Sequence, residues 1–341
     1  MAGVYVAVSL LWVAAGTSSL GSDIALLRSA GARLLAGQPV YPDPSGGSFA
    51  TVDPTSFYGP PALAVVSTPL TLIDEAVLRR AAFPVSWLVF AAGLAILATT
   101  AGLRRDQVAA VFIGAIGCFA IFGGATLGAS SVWLFGLLAG AVVALANKRD
   151  PLAGVLIGTT AALRVYPVVL LLMLAAAGRW RALAASLGAL AGWIVIGVLV
   201  GGPDQTAQYL RLLVGLSGAE GGTSDLAFHG VLRLVSVGAG IGLLAWSGRL
   251  LLAATTPASI TLAFGLGCAG MLLTAPVVWD HYLTALLPLV VGITATLGVA
   301  WPGLLSVGFT TAALAGAYAI VWAPIVGVIA VLRERRSGRF A

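Results

Sequence analysis

Long runs of apolar residues follow one another along the chain, and short polar segments rich in Arg, Asp and Gly separate them. A helix needs roughly 20 apolar residues to cross the hydrocarbon core of a bilayer, and a shorter helix can cross where the bilayer is locally thin. The pattern predicts an all-α, polytopic bundle of transmembrane helices with eleven or twelve spans. The predicted spans are 4–20, 83–101, 107–125, 131–146, 151–163, 166–177, 182–200, 231–248, 258–276 and 282–300, followed by one long or two short spans across 303–332.

The composition excludes a water-soluble globular protein. Hydrophobic residues make up 60% of the chain and charged residues only 9%, whereas soluble domains carry about 25% charged residues. The net charge of +6 comes almost wholly from arginines in the short links, since Lys148 is the only lysine. This distribution is typical of topology signals, so we predict the lipid bilayer as a partner and no nucleic-acid partner. Cys118 and Cys268 both lie within apolar runs, which predicts neither a disulfide framework nor a cysteine metal site.

Basic residues indicate the orientation of the spans, because cytoplasmic loops of membrane proteins are enriched in Lys and Arg. Basic clusters fall at alternate loops, which predicts that these loops are cytoplasmic. A cytoplasmic tail over 333–341 then requires twelve spans, with a reversal near Gly316 to Tyr318. Residues 1–341 are predicted to form a single transmembrane catalytic domain. The basic clusters are Arg104 with Arg105, Lys148 with Arg149, Arg179 with Arg181, and Arg249.

Two long loops on the outer side, 21–80 and 201–230, are expected to carry the chemistry. Residues 61–73 in the first loop are apolar, but a crossing there would invert every later basic cluster. We therefore predict an interfacial helix lying on the bilayer. Asp23 directly follows the first predicted span, and the sequence leaves two interpretations open. It is either the N-cap of a helix over 24–35 or a catalytic carboxylate at the membrane surface.

Short polar and aromatic motifs stand in a fixed order along these loops. They are Ser22-Asp23, Ala30 to Tyr41, Phe57 to Leu63 and Pro69-Leu70, then Arg164 to Pro167 with Arg179-Trp180-Arg181, then Phe228-His229-Gly230 with Arg233-Leu234, and finally Pro276 to His281. Together they resemble the motifs of glycosyltransferase family 87, a member of the C-type superfamily of polyprenyl-phosphate-sugar transferases. The order of the motifs is more specific than any one of them.

The chain departs from the family pattern at three places. Ala25 to Arg28 stands where the family usually has aromatic residues, and Gly128-Ala129-Ser130-Ser131 stands where it has Gly-Gln-x-Asn. Arg164 occupies a position where lysine is common. This last change keeps the positive charge and adds a bidentate fork for phosphate.

The resemblance implies a C-type glycosyltransferase fold with interfacial helices in the large first outer loop. It also implies an inverting enzyme without a cofactor, which moves a sugar from a polyprenyl phosphate donor to a hydroxyl of an envelope glycolipid or glycan. In the family the aspartate after the first helix is the proposed base, a role that falls here on Asp23. The family further implies mannose in α linkage, as in actinobacterial mannosyltransferases, although arabinose and glucose would use the same machinery. The implied location is the bacterial plasma membrane, with the active site on the outer, periplasmic face.

Three further residues are candidates for this chemistry. Arg164 stands between two short apolar runs, where a guanidinium is costly unless it is paired or reaches water. We predict that it neutralises the donor phosphate, and snorkelling to the interface is the alternative. His281 is assigned to catalysis, either by holding the acceptor or the phosphate or by assisting Asp23 in proton transfer. His229 is assigned to substrate binding, with loop packing as the alternative, and the wide spacing of Asp23 and the two histidines predicts no metal site.

Other residues of the outer loops are candidates for substrate binding. Tyr41 and Tyr58 can stack on sugar faces or prenyl groups, and anchoring at the membrane interface is the alternative. The resemblance adds Arg233, Trp279 and Asp280 to this set.

A transporter or flippase of a lipid-linked or small solute is the alternative class of protein. There Asp23, Arg164 and His281 would line a substrate or proton pathway. That class predicts charged residues deep within the spans, whereas here they cluster at loop ends on one side. The sequence also lacks the internal repeat of transporters built from inverted repeats. A third class, a structural membrane subunit, leaves the ordered motifs unexplained.

Overall fold

The computed structural model describes residues 20–41, 56–116, 119–216, 231–275, 278, 280–297 and 318–336. Over these residues the chain is helical and contains no β-strand, which confirms the prediction of an all-α bundle. The α-helices are α1 Ser22–Leu35, α2 Pro61–Val66, α3 Glu75–Thr100, α4 Arg105–Ile116, α5 Phe119–Leu127, α6 Ser130–Ala146, α7 Asp150–Leu163, α8 Leu170–Ala176, α9 Trp180–Leu216, α10 Val231–Ala253, α11 Pro257–Thr274, α12 Leu287–Leu297 and α13 Tyr318–Arg336, and 3₁₀ helices cover Thr68–Leu72, Tyr166–Val169 and Asp280–Leu286.

Four helices, α3, α9, α10 and α11, are long and apolar enough to cross a membrane. A fifth span results if α5 and α6 count as one, although they meet at an angle of 116°. The other apolar helices at predicted positions have only 10–17 residues. Residues 4–19 of the predicted first span and residues 303–317 lie outside the described residues. Eleven or twelve crossings therefore stay a prediction.

Helix α3 begins at Glu75, eight residues before the predicted start at 83. Asp74 is its N-cap, since its side chain accepts hydrogen bonds from the backbone N–H groups of Ala76 and Val77 at 3.0 and 3.2 Å. Glu75 and Arg79, one turn apart, form an ion pair at 2.9 Å. The charged residues just before the predicted span look like a loop in the sequence, but they form the N-cap and first turns of the helix. The cap side chain binds N–H groups that have no partner within the helix.

Helix α9 continues well beyond the predicted span, because residues 203–216 are helical and not part of a loop. Gly202 has a φ of 80°, and Pro203 then opens the second part of the helix. Proline is favourable in the first turn of a helix but breaks the hydrogen bonding of a helix that precedes it. The helix is therefore kinked at Gly202, and a second helical part follows from Pro203. Residues 203–216 of the predicted outer loop 201–230 are therefore helical, whereas 217–230 lies outside the described residues, and the position of this segment relative to the membrane stays a prediction.

Two basic loops lie together at one end of the bundle. Arg179, just before α9, donates a hydrogen bond to Asp150 at the start of α7 at 2.9 Å. Helices α6 and α7 form an antiparallel pair joined by the short segment 147–149, so Ser130 and Arg164 lie at the opposite end of this pair. Ser130 and Arg164 are therefore remote from the ion pair of Arg179 and Asp150.

The apolar segment 61–73 forms the short helix α2 and the following 3₁₀ helix. Its first turn is buried, whereas the side chain of Leu72 is 88% exposed. Ala62 lies close to Gly197 of α9, where an added Cβ would come within 3.4 Å of the Ala62 nitrogen. The segment is one of several apolar helices of 10–17 residues, like those at some of the predicted spans, so its place on the bilayer surface stays a prediction.

Candidate active site

Asp23 lies in the first turn of α1 and not at its N-cap. The helix begins at Ser22, and its N-cap is Gly21, whose φ is 63° and which offers no side-chain cap. The N–H of Gly21 donates a hydrogen bond to the carbonyl oxygen of Thr126 at 2.8 Å, which joins α1 to α5. The N-cap interpretation of Asp23 is therefore wrong, and its carboxylate is available for another role. A carboxylate in the first turn is stabilised by the helix dipole.

A sharp break between α5 and α6 lies directly against α1. Gly128 in this break has a φ of 68°, and an added Cβ would come within 3.1 Å of the Cβ of Ile24 and 3.0 Å of the Cβ of Ala82. Only glycine combines this backbone conformation with so little space. The chain then turns through 116°, and the turn brings Ser130 next to the residues that follow Gly21.

A cavity of about 310 Å³ opens between these elements. It contains one carboxylate, one guanidinium and one imidazole, from Asp23, Arg164 and His281. These three residues come from distant parts of the chain, and each was a candidate from the sequence. The remaining lining residues are Ser22, Leu26, Leu27, Ser56, Phe57, Tyr58, Gly59, Leu63, Leu127 and Ser130.

Arg164 follows α7 in an extended conformation, with a φ of −148°. Its Nε and one Nη donate to the hydroxyl oxygen of Ser130 at 2.9 and 2.7 Å. The other Nη donates to the hydroxyl of Tyr282 at 2.8 Å. The ring of Tyr282 stacks on that of Tyr166, with the ring centroids 4.8 Å apart. Two hydroxyl groups therefore hold the guanidinium in one orientation at the cavity.

His281 lies in the 3₁₀ helix Asp280–Leu286, just before α12, and is only 6% exposed. Its ring meets that of Tyr282 edge-on, with the centroids 4.9 Å apart. Helix α5 approaches from the other side, since a Cβ on Gly124 would lie 2.9 Å from the Cβ of His281. The imidazole is thus held closely by its neighbours while it lines the cavity.

The other candidates for substrate binding have different surroundings. Tyr58 lines the cavity, but Tyr41 is 4% exposed and packs behind the cavity wall. Arg233 donates hydrogen bonds to the carbonyl oxygens of Thr274 and Ala275, at the end of α11. It does not line the cavity and instead caps a helix there. His229, Trp279 and the side chain of Asp280 lie outside the described residues.

Ser130 and Tyr282 are site residues that the sequence did not single out. Each lies at the boundary of an apolar run, where an isolated hydroxyl carries no pattern of its own. In the part of the chain that the structure describes, no group of three or more His, Cys, Asp or Glu side chains is placed to hold a metal ion. The expectation of a reaction without metal stays a prediction.

An all-α membrane bundle with acidic, basic and imidazole side chains in one cavity defines a candidate membrane enzyme. The model of glycosyltransferase family 87 matches residues 57–297. Because this match covers more than half of the chain, the protein belongs to glycosyltransferase family 87. Asp23 and Tyr41 lie before the matched stretch. Comparisons with curated proteins and with solved structures gave no match.

Proposed function

We propose that the protein transfers mannose from a polyprenyl phosphate donor to a hydroxyl group of an envelope glycolipid or glycan. The observation that carries this proposal is the meeting of Asp23, Arg164 and His281 in one cavity. Transfer from a lipid phosphate needs a base, a positive charge for the phosphate and correct positioning, and little else. Mannose rests on the family resemblance, and arabinose and glucose are the alternative sugars.

Asp23 is the general base in this mechanism. Its carboxylate takes the proton of the acceptor hydroxyl while the hydroxyl oxygen attacks the anomeric carbon of the donor. The bond between that carbon and the phosphate oxygen breaks, and the polyprenyl phosphate leaves with the bonding electrons. Attack from the face opposite the phosphate inverts the configuration, so a β-linked donor gives an α-linked product.

Arg164 neutralises the phosphate that leaves. Among the described residues it forms no ion pair, and its side-chain partners are the neutral hydroxyls of Ser130 and Tyr282. Asp23 in the same cavity attracts this charge without a direct ion pair, and an anionic ligand bound to the guanidinium would stabilise it further. His281 holds the phosphate or the acceptor beside this charge, or assists Asp23 with the proton.

The outer, periplasmic face of a bacterial plasma membrane is the proposed location of the reaction. Ser130 and Arg164 lie at the end of the α6–α7 pair opposite to Asp150 and Arg179. The basic loops belong on the cytoplasmic side by the positive-inside rule. Their separation from the cavity supports an active site that opens outward, where envelope acceptors lie.

The test is transfer of radiolabelled mannose from polyprenyl phosphate mannose into lipids of membranes that contain the protein. A parallel assay with the arabinosyl donor distinguishes the sugars. Asp23→Asn should abolish transfer, because the amide cannot accept the proton, while Asp204→Asn should retain it, since Asp204 is exposed and does not line the cavity. Substantial transfer by Asp23→Asn would overturn the assignment of the base. If neither donor yields a product, the flippase alternative is tested by measuring translocation of a lipid-linked sugar.

A further inference from the structure

The hydrogen-bonding capacity of Arg164 is only partly used by its neighbours. A guanidinium carries five N–H donors, one on Nε and two on each Nη. In the described structure three of them are bound, two by Ser130 and one by Tyr282. One N–H therefore remains on each terminal nitrogen. Each terminal nitrogen can therefore still donate one hydrogen bond, and arginine binds the oxygens of phosphates through such donors.

The hydroxyl of Ser130 is likewise left with one hydrogen-bond donor that its neighbours do not use. A serine hydroxyl accepts two hydrogen bonds and donates one. Both acceptor positions are occupied, because two N–H groups of Arg164 point at the same oxygen. The hydroxyl hydrogen must therefore point elsewhere, and among the described residues it has no acceptor. Ser130 is 6% exposed, and its exposed part lines the cavity.

The backbone also favours an anion beside Ser130. This residue opens α6, a helix of 17 residues that begins directly after the break at Gly128. The free N–H groups and the dipole of such a helix place partial positive charge at its first turn. The hydroxyl and the guanidinium, and not the helix end, supply the directed hydrogen bonds.

We propose that Ser130 donates its hydroxyl hydrogen directly to the anionic group that Arg164 faces. The phosphate site then consists of an arginine–serine pair, in which the serine fixes the arginine and each donates to the phosphate by itself. This inference rests on the proposed function, because it takes the anion to be the phosphate of a polyprenyl donor.

Ser131 supplies a matched control. It is adjacent to Ser130 and 3% exposed, but its hydroxyl oxygen is buried and has no hydrogen-bond partner among the described residues. Removing an unsatisfied buried hydroxyl is neutral or stabilising. Ser131→Ala should therefore keep the affinity of the wild type, while Ser130→Ala should not.

The experiment measures the affinity of the purified full-length protein in lipid nanodiscs for decaprenyl phosphate, together with the donor KM and kcat of mannosyl transfer. Ser130→Ala should weaken binding about tenfold, the effect of one lost hydrogen bond to a charged group. The donor KM should rise correspondingly, with little change in kcat and in the acceptor KM. Ser130→Thr, which keeps the hydroxyl, should restore most of the affinity.

A second comparison separates direct contact from an effect through Arg164. Ser130→Ala is combined with Arg164→Gln and compared with Arg164→Gln alone. A further loss of affinity in the double variant supports direct donation to the phosphate, and an unchanged affinity overturns it. Equal affinities of Ser130→Ala and Ser131→Ala also overturn it. Neither result affects the proposed function, which fails only if the wild type transfers no sugar.

Discussion

The phenol of Tyr41 donates a hydrogen bond to the carbonyl oxygen of Gly59 at 3.1 Å. Gly59 belongs to the cavity wall, whereas Tyr41 lies behind it. The ring of Tyr41 packs between those of Phe57 and Tyr209, with centroid distances of 5.9 and 5.5 Å. Tyr41 therefore supports the wall of the site from outside the cavity.

Tyr41→Phe should destabilise the protein by about 1–3 kcal/mol, because the buried carbonyl of Gly59 loses its donor. Thermal unfolding in detergent measures this loss as a lower Tm. The control is Tyr209→Phe, since no hydrogen bond of the Tyr209 hydroxyl occurs among the described residues. Equal Tm values for Tyr41→Phe and the wild type would show that the bond contributes nothing.

The phenol of Tyr41 also predicts a dependence on pH. Burial raises its pKa, and the neighbouring Tyr209 adds to the effect. In the unfolded chain a tyrosine titrates near pH 10. Since the folded state holds this proton to higher pH, the stabilisation is fully present below about pH 10 and is lost as the pH rises further. The Tm of the wild type should fall more steeply above that pH than the Tm of Tyr41→Phe.

The planar guanidinium of Arg164, and not only its positive charge, should contribute to binding of the donor. Arg164→Lys keeps the charge but cannot donate two hydrogen bonds to Ser130 in the same geometry. We expect a raised donor KM in this variant, and a larger increase in Arg164→Gln, which has lost the charge as well. Titration of the donor at fixed acceptor measures both. An unchanged donor KM in Arg164→Gln would instead indicate that the side chain only snorkels to the interface.

Two adjacent glycines of α5 differ in what lies beside them. An added Cβ on Gly124 would lie 2.9 Å from the Cβ of His281, whereas one on Gly123 would have no neighbour within 4 Å. Gly124→Ala should therefore displace His281, at a cost of about 1–3 kcal/mol, and lower kcat. Gly123→Ala should leave activity intact, because alanine suits a helix. The prediction fails if the two variants have the same kcat.

Gln205 joins the distal part of α9 to the first outer loop. Its side chain accepts a hydrogen bond from the N–H of Val40 and donates one to the carbonyl oxygen of Gln38, both at 3.1 Å. Gln205→Ala should loosen this segment and speed its cleavage by an added protease. Gln208→Ala, three residues further on, removes the same type of side chain, which has no hydrogen bond to the described part of the loop. Cleavage at the same rate in both variants would contradict the clamp.

The sequence predicts much of the helical framework, because hydropathy reports which residues can face lipid. It misses the polar helices, since hydropathy alone does not reveal hydrogen bonds. Residues 203–216 and the first turns of α3 resemble loops in the sequence, yet Pro203 and Asp74 start helices there. A polar segment beyond a span is thus ambiguous until its caps are recognised.

The sequence predicted several residues of the site but not how they come together in space. The resemblance selects Asp23, Arg164 and His281, and their approach depends on breaks such as the one at Gly128. The sequence did not identify Ser130 as a site residue, because its role depends on the hydrogen bonds that it accepts from Arg164, 34 residues away in the sequence. Tyr41 carried a binding prediction, but its burial behind the wall indicates support of the site.

The shortness of α7 has a consequence for the depth of the reaction. Its 14 residues rise only about 21 Å, while the hydrocarbon core of a bilayer is about 30 Å thick. The positive-inside rule predicts Asp150 near one polar surface, and in a bilayer of this thickness Arg164 is then expected below the headgroups of the other. In the proposed mechanism, the phosphate of a lipid-linked donor would then meet Arg164 without leaving the bilayer. The same mechanism would require the acceptor hydroxyl to reach below the level of the headgroups.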